Sequence, residues 1–386
     1  MSERLQFIER LLAGERMSDL CREFGISRQT GYKFRERFER EQLAGLEDRS
    51  RAPRRVANRT DDALRELLVS ARREHPTWGP RKLCAWLSAK HPGLRLPAAS
   101  TVGDLLKRQG LVQPRRRCRR TPLQGTALTQ ANAPNEVWCA DFKGQFRLGS
   151  GQYCYPLTIT DRYSRRILAI EALESTEHKG ARTAFEATFQ HYGLPRIIRT
   201  DNGAPFASRG LLGLSRLSAW WRLHGVRHER IEPAHPQQNG QHERMHLTLK
   251  QETTRPAAAN FLQQQERFDR FIQQYNEERP HEALGQKPPA TYFTASERRY
   301  EPSTPLSYPL HDCVRRVSPS GHIGTGARNK HVFLSSALAG LLVGTREIDH
   351  DLWLVSFADL DLGTIDVRRC RFTPKDFLRD LQDTGS

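Results

Sequence analysis

Ile197-Ile198-Arg199-Thr200-Asp201-Asn202-Gly203 decides how the middle of this chain is read. An apolar run ending in Thr-Asp reads as a short buried strand with a carboxylate just beyond its C-terminal end, and Asn-Gly then reads as a tight turn. Open α/β sheets place their ligands at that edge. Upstream, Trp138-Cys139-Ala140-Asp141 sets a second carboxylate in an apolar, aromatic strand, where an unpaired charge is costly. Downstream, His235-Pro236-Gln237-Gln238-Asn239-Gly240-Gln241-His242-Glu243-Arg244 carries a third, Glu243, in the first turns of a helix starting near Asn239. Three carboxylates that meet repel one another unless cations neutralise them. An oxygen-only donor set favours Mg²⁺ or Mn²⁺ over zinc. Two such ions serve phosphoryl transfer, one activating the attacking oxygen and the other stabilising the leaving oxygen. The expected catalytic and metal-holding residues are therefore Asp141, Asp201 and Glu243, with two ions per site.

The elements around these acids read as an α/β layer. Residues 137–146, 153–160 and 165–172 are closely spaced strand runs, expected to form an antiparallel meander. A helix over 178–192, the strand ending at Thr200, a helix over 211–224, a strand over 227–231, the helix from Asn239 and a last helix over 261–278 follow. The expectation is a mixed five-stranded sheet with helices on both faces. Beyond Pro302 the short strand runs 331–334, 340–348, 352–358 and 362–367 predict a small β-barrel.

The N-terminal third differs in charge. Of a net +17, residues 1–134 supply +13, with 28 Lys and Arg against 15 Asp and Glu. That imbalance points to a polyanion-binding arm on a separate working domain. The first fifty residues read as a helix-turn-helix. Ser18 is the expected cap of a second helix and Ser27 of a third, and Cys21 with Gly25 suits a close crossing. Arg28, Gln29, Thr30, Lys33 and Arg37 on the third helix are expected to reach phosphates or base edges. A second module follows, with stripes at Leu64, Leu67, Leu68 and Ala71 and at Leu83, Trp86 and Leu87, and a last helix capped by Ser100. Arg115, Arg116 and Arg117, in a run too basic to fold alone, read as a linker or as an arm that orders on DNA. The expected division is 1–50, 51–113, a basic linker 114–134, a catalytic core 135–297 and a β domain 298–386. The longest apolar stretch, Ala337 to Val343, is too short to span a bilayer, and the N-terminus lacks a signal pattern. Seven scattered cysteines without a C-x-x-C fit reduced thiols in a cytoplasmic protein.

With these motifs in place, the region 135–295 resembles the catalytic core of the retroviral-integrase superfamily, and the whole chain resembles the DDE transposases of bacterial insertion sequences. The resemblance implies an RNase H-like fold, the three acids as metal ligands, and Asn202, Gln237 and Asn239 as polar positions lining the site. It also implies that Arg244 and Lys250 are DNA contacts. The implied partners are double-stranded DNA, both transposon ends and target, and further copies of the chain assembled on that DNA. The implied location is the bacterial cytoplasm, at the nucleoid. Two departures stand out: 41 residues separate Asp201 from Glu243, more than is usual in the family, and no His-His-Cys-Cys zinc module precedes the core.

Two other readings compete. His242-Glu243-Arg244-Met245-His246 is an H-E-x-x-H, with Glu266 as a third zinc ligand, but a zinc hydrolase leaves Asp141 and the Thr-Asp-Asn-Gly turn unexplained. A DNA-binding regulator with a decayed core is the other, and the presence of all three acids argues against it. Asp161 reads as a hairpin-turn residue, Trp138 as core, and Tyr275-Asn276 with Arg279-Pro280-His281 as a packing device.

Overall fold

The computed structural model describes residues 3–48, 60–112, 128–232, 238, 240–302, 306–325 and 330–375. Arg115, Arg116, Arg117, Gln237 and Asn239 lie outside the described residues. The chain divides into two compact units, residues 1–61 and 62–386.

The first unit is three helices: α1 (Glu3–Leu12), α2 (Met17–Glu23) and α3 (Arg28–Glu41). Phe7, Ile8, Leu20, Cys21 and Leu46 form its small core. The expected cap at Ser27 is present, its Oγ accepting from Thr30 N at 3.1 Å. Ser18 is not a cap; α2 begins two residues earlier than expected, with Arg16 at its N-cap and no side-chain bond. The close crossing depends on Gly31 rather than Gly25. A Cβ at Gly31 would stand 2.7 Å from Met17 Sδ and 2.8 Å from Cys21 Sγ, whereas one at Gly25 would meet nothing.

The second unit opens with α4 (Asp62–Glu74), α5 (Pro80–Lys90) and α6 (Ala99–Arg108), packed around Leu68, Trp78, Leu83, Leu87, Val102 and Leu106. Ser100 does not cap α6; the N-cap is Ala98, and Ser100 lies inside the first turn. The sheet that follows holds β1 (Val137–Phe142), β2 (Phe146–Arg147), β3 (Tyr153–Asp161), β4 (Ile167–Leu173), β5 (Ile197–Thr200) and β6 (Arg227–Arg230). Strand β1 is central, antiparallel to β3 and parallel to β5, while β6 runs parallel to β5 and β4 antiparallel to β3. This is the expected mixed five-stranded sheet, extended by the two-residue β2. The helices α7 (His178–Tyr192), α8 (Arg216–Leu223), α9 (Gly240–Thr253) and α10 (Phe261–Gln273) complete it. Trp138, Leu157, Phe185, Phe189, Ile198 and Trp221 belong to one core, and Ile167, Ile170, Met245, Leu249 and Phe268 to another. Two cores, each drawing on the sheet and on different helices, give the layered arrangement the periodicities called for.

The Y-N-x-x-R-P-H segment is structural. Asn276 accepts from Ile167 N at 2.9 Å and donates to Ile167 O at 2.8 Å, satisfying the outer side of β4. Arg279 bonds Glu252 of α9 at 2.8 Å and lies over the Trp78 ring, while Thr77 donates to the same Glu252. This cluster fastens the α4–α6 module to the far end of α9.

C-terminal to the core, β7 (Cys313–Arg316), β10 (Leu342–Asp349), β11 (Leu352–Phe357), β12 (Leu360–Asp366) and β13 (Arg371–Pro374) pair in the order β13-β12-β11-β10-β7. β8 (His322–Gly324) and β9 (His331–Phe333) form a separate hairpin. The expected barrel is not closed, because β13 and β7 are the unpaired ends of an antiparallel sheet among the described residues. That sheet covers its apolar face with the stretch between Asp201 and Glu243. Leu214 and Ala219 are buried with Val317, Val343, Val355 and Phe357, and Leu211 and Leu212 pack at the margin. The extra length between the two acids is therefore a docking platform. Instead of one helix over 211–224, it holds a 3₁₀ turn, Leu211–Gly213, then α8, which opens with a reciprocal Ser215–Ser218 capping box. Among the described residues no helix is long and apolar enough to cross a membrane.

Candidate active site

Strand β1 carries Asp141 next to its C-terminal end, and β5 ends one residue before Asp201. The strands are parallel with Cys139 opposite Arg199, so continuing the register by two residues brings Asp141 alongside Asp201. Arg199 is buried and is held by Glu229 of β6 at 2.6 Å, which keeps a charge inside the sheet at the cost of a dedicated partner. Asp201 then turns the chain: its Oδ1 accepts from Gly203 N at 3.1 Å, and a Cβ at Gly203 would sit 3.1 Å from Asp201 Oδ2. Asn202 donates from Nδ2 to Ile231 O at 2.7 Å, tying this turn to the segment after β6. Glu243 lies in the first turn of α9 and is exposed.

The acids are felt electrostatically at Asp141. Burial first, then the charges of Asp201 and Glu243, push its carboxyl up to about 7. Lys143 opposes this, and burial together with the nearby Lys250 lowers Lys143 in turn. Lys143 was not singled out by the sequence, although it is two residues from Asp141, a spacing that puts side chains on one side of an extended chain. Lys250 and Arg244 are exposed on α9.

The two histidines of the H-E-x-x-H are inside. Thr158 Oγ1 lies 2.9 Å from Asp141 O, 2.7 Å from His242 Nε2 and 2.7 Å from His246 Nε2. Thr160 Oγ1 is 3.0 Å from His242 Nδ1. Burial pushes His242 down to about 3 and His246 down to about 2, so both imidazoles are neutral. Glu266, the third member of the zinc reading, is an exposed residue paired with Arg270 on α10. Among the described residues, the grouping with metal-ligand spacing is instead Asp141, His242 and His246, whose donor atoms lie within 4.8 Å of one another. Both ring nitrogens of His242 are engaged by threonine hydroxyls, so His242 is a structural member of that group. Its sequence signal was the spacing of two histidines on one helix face, read there only as a zinc motif.

Elsewhere, Asp161 accepts from Asn135 N at 2.9 Å, Ser164 N at 2.8 Å and Ser164 Oγ at 2.6 Å, and Trp138 Nε1 donates to Asn135 Oδ1 at 3.1 Å. Both are framework. In the first unit Arg28, Gln29 and Lys33 are exposed along α3, Arg37 is half-buried, and the Thr30 hydroxyl is 2.9 Å from that of the Ser27 cap.

Comparison with known proteins finds the following similarities. Residues 131–236 and 224–289 each match an integrase core domain, residues 3–54 a helix-turn-helix domain and residues 30–106 a homeodomain-like domain. The chain is 26% identical over 267 residues to the insertion element IS476 uncharacterized 39.2 kDa protein of Xanthomonas euvesicatoria, covering 69% of this chain and 74% of that one. It is 26% identical over 255 residues to the insertion element IS407 uncharacterized 31.7 kDa protein of Burkholderia multivorans, covering 64% and 86%. A solved structure, the HTLV-2 integrase catalytic core domain in complex with magnesium, overlaps 42% of this chain and 99% of that one at 15% identity and a TM-score of 0.34. The chain thus carries an integrase core domain with helix-turn-helix domains ahead of it, and proteins of the insertion elements IS476 and IS407 are among its relatives.

Proposed function

We propose that the protein is a DDE transposase that binds the terminal inverted repeats of its own element, cuts DNA at those ends and joins them to target DNA. The observation that carries this reading is the crowding of Asp141 by Asp201 and Glu243 at the C-terminal edge of two parallel strands. Three carboxylates carried by neighbouring strand ends and a helix start fit a site for divalent cations. Asp141, Asp201 and Glu243 would hold Mg²⁺ or Mn²⁺, two ions per site. When bound, such ions lower the barrier at both the attacking and the leaving oxygen of a phosphodiester.

The chain's own residues position the reaction. Water attacks a phosphodiester at the element's end and frees a 3′-OH, which then attacks a target phosphodiester, so one ester bond forms as another breaks. No side chain is needed as a covalent nucleophile. Lys143, Lys250 and Arg244 offer cationic contacts to the phosphates beside the acids. The α3 residues Arg28, Gln29, Thr30, Lys33 and Arg37, with Arg115, Arg116, Arg117 and Asn239, supply recognition and backbone contacts. Joining two ends requires at least two protomers, which implies an assembly on DNA in the cytoplasm, at the nucleoid. The domain division follows: DNA-reading modules over 1–50 and 51–113, a basic linker over 114–134, the core over 135–297 and a β domain over 298–386.

The test is an end-cleavage and strand-transfer assay on the element's own termini with Mg²⁺ or Mn²⁺. Wild type should cut and join, and Asp201→Asn and Glu243→Gln should bind ends without cutting. End binding by wild type with no cutting under any metal condition would make the protein a DNA-binding regulator instead.

A further inference from the structure

The hydrogen bonds around Thr158 fix the protons of the two histidines. A hydroxyl has one proton and two acceptor lone pairs, and a backbone carbonyl can only accept. Thr158 therefore gives its proton to Asp141 O, at 2.9 Å, and both imidazoles must donate to it from Nε2, each at 2.7 Å. A neutral imidazole protonated on Nε2 has a bare lone pair on Nδ1. For His242 that lone pair is used, because Thr160 Oγ1 lies 3.0 Å away and donates to it in preference to Cys139 O, which is 3.5 Å away. For His246 it has no hydrogen-bond partner among the described residues, and it faces Asp141 Oδ2 at 3.8 Å. That gap is too long for a hydrogen bond. Two lone-pair donors thus face each other across a space that no proton bridges.

The spacing fits a shared cation. Around an ion with bonds of about 2.1 Å, neighbouring ligand atoms stand roughly 3.0 Å apart and opposite ones roughly 4.2 Å. A separation of 3.8 Å matches neither value but is below the maximum of roughly 4.2 Å, so both atoms reach one ion after a shift of a few tenths of an ångström. Glu243 lies three residues before His246 on α9, so one turn of helix offers an oxygen donor and a nitrogen donor to the strand edge that carries Asp141. Thr158 fixes the ring in the tautomer that leaves Nδ1 free, as the hydrogen-bond partner of a ligating imidazole commonly does.

We propose that His246 Nδ1 is a metal ligand beside Asp141, giving the site a mixed nitrogen and oxygen donor set that takes Mn²⁺ in preference to Mg²⁺. The preference follows from the ligand chemistry, since imidazole suits transition metals while Mg²⁺ favours oxygen. This inference rests on the carboxylate site proposed above.

The experiment uses the full-length protein stripped of metal and loaded with Mn²⁺, read by pulsed electron paramagnetic resonance, with Mn²⁺ and Mg²⁺ affinities measured by calorimetry. Wild type should show modulation from a directly bound ¹⁴N, and His246→Gln should lose it. Mn²⁺ affinity should fall about tenfold or more in His246→Gln, with a smaller change for Mg²⁺. Mn²⁺ binding in wild type without a directly bound ¹⁴N, or the same modulation persisting in His246→Gln, would overturn the ligand assignment and leave the carboxylate reading standing. Binding that Asp141→Asn leaves unchanged would overturn both. Should His246→Gln not fold, the wild-type spectrum decides by itself.

Discussion

Asp141→Asn gives the most demanding test of the crowded-carboxylate argument, because it should stabilise the protein when metal is absent. The carboxyl of Asp141 moves from an ordinary 3.8 to about 7. Each pH unit of such a displacement corresponds to about 1.4 kcal/mol, so the ionised form carries a ceiling of about 4 kcal/mol. The side chain is 23% exposed, and screening by water reduces this to roughly 2 kcal/mol. A carboxyl raised on folding contributes stability that is complete below pH 3.8 and is lost as pH rises through about 7. Asparagine keeps the size of the side chain without the charge. In chelator at pH 8 the variant should therefore be more stable than wild type by roughly 2 kcal/mol, with the gap closing toward pH 4. The neutral His242, held by Thr158 and Thr160, destabilises both proteins alike as pH falls below 6.5 and cancels in the difference. Saturating Mg²⁺ should reverse the order, adding about 2.7 kcal/mol to wild type at one hundred times Kd and little to the variant. Urea unfolding followed by tryptophan fluorescence is the assay, because all six tryptophans lie between residues 62 and 386 and report that unit alone. A variant less stable than wild type at pH 8 without metal, or a gap indifferent to pH, would refute the reasoning.

Further outcomes can be checked independently. Lys250→Ala should slow strand joining while calorimetry shows metal binding unchanged, since it lies seven residues from Glu243 on the same helix and its charge is felt at Lys143; wild-type joining at moderate salt would remove it from the site. Lys33→Ala should lower affinity for end DNA and reduce the salt slope by about one, as loss of a phosphate contact requires. Arg279→Ala should cost about 3 kcal/mol in urea unfolding, because the largely buried Glu252 loses its charged partner and keeps only the Thr77 hydroxyl. A loss below about 1 kcal/mol would mean the clamp on Trp78 and Glu252 is not a stabilising contact.

The sequence by itself determined the strands and the helix that carry the three acids. Asp201 after an apolar run, Asp141 in an aromatic strand and Glu243 at a helix start are local patterns, and strand ends in an α/β layer fall on one edge whatever the loops do. The helices were legible for the same reason: α7 occupies the expected 178–192, because its periodicity is uninterrupted. Tertiary structure decided what local pattern cannot encode. The caps of α2 and α6 fell on Arg16 and Ala98 instead of the nearby serines, a two-residue shift that local pattern does not resolve. The lengthened stretch before α8 packs against a sheet about a hundred residues later, where Leu214 and Ala219 join its core and Leu211 and Leu212 lie at the margin. His242 and His246 read as a zinc pair along the helix. Only the arrival of Thr158 and Thr160 from β3 fixed their protons, engaging one ring completely and leaving one nitrogen of the other facing Asp141.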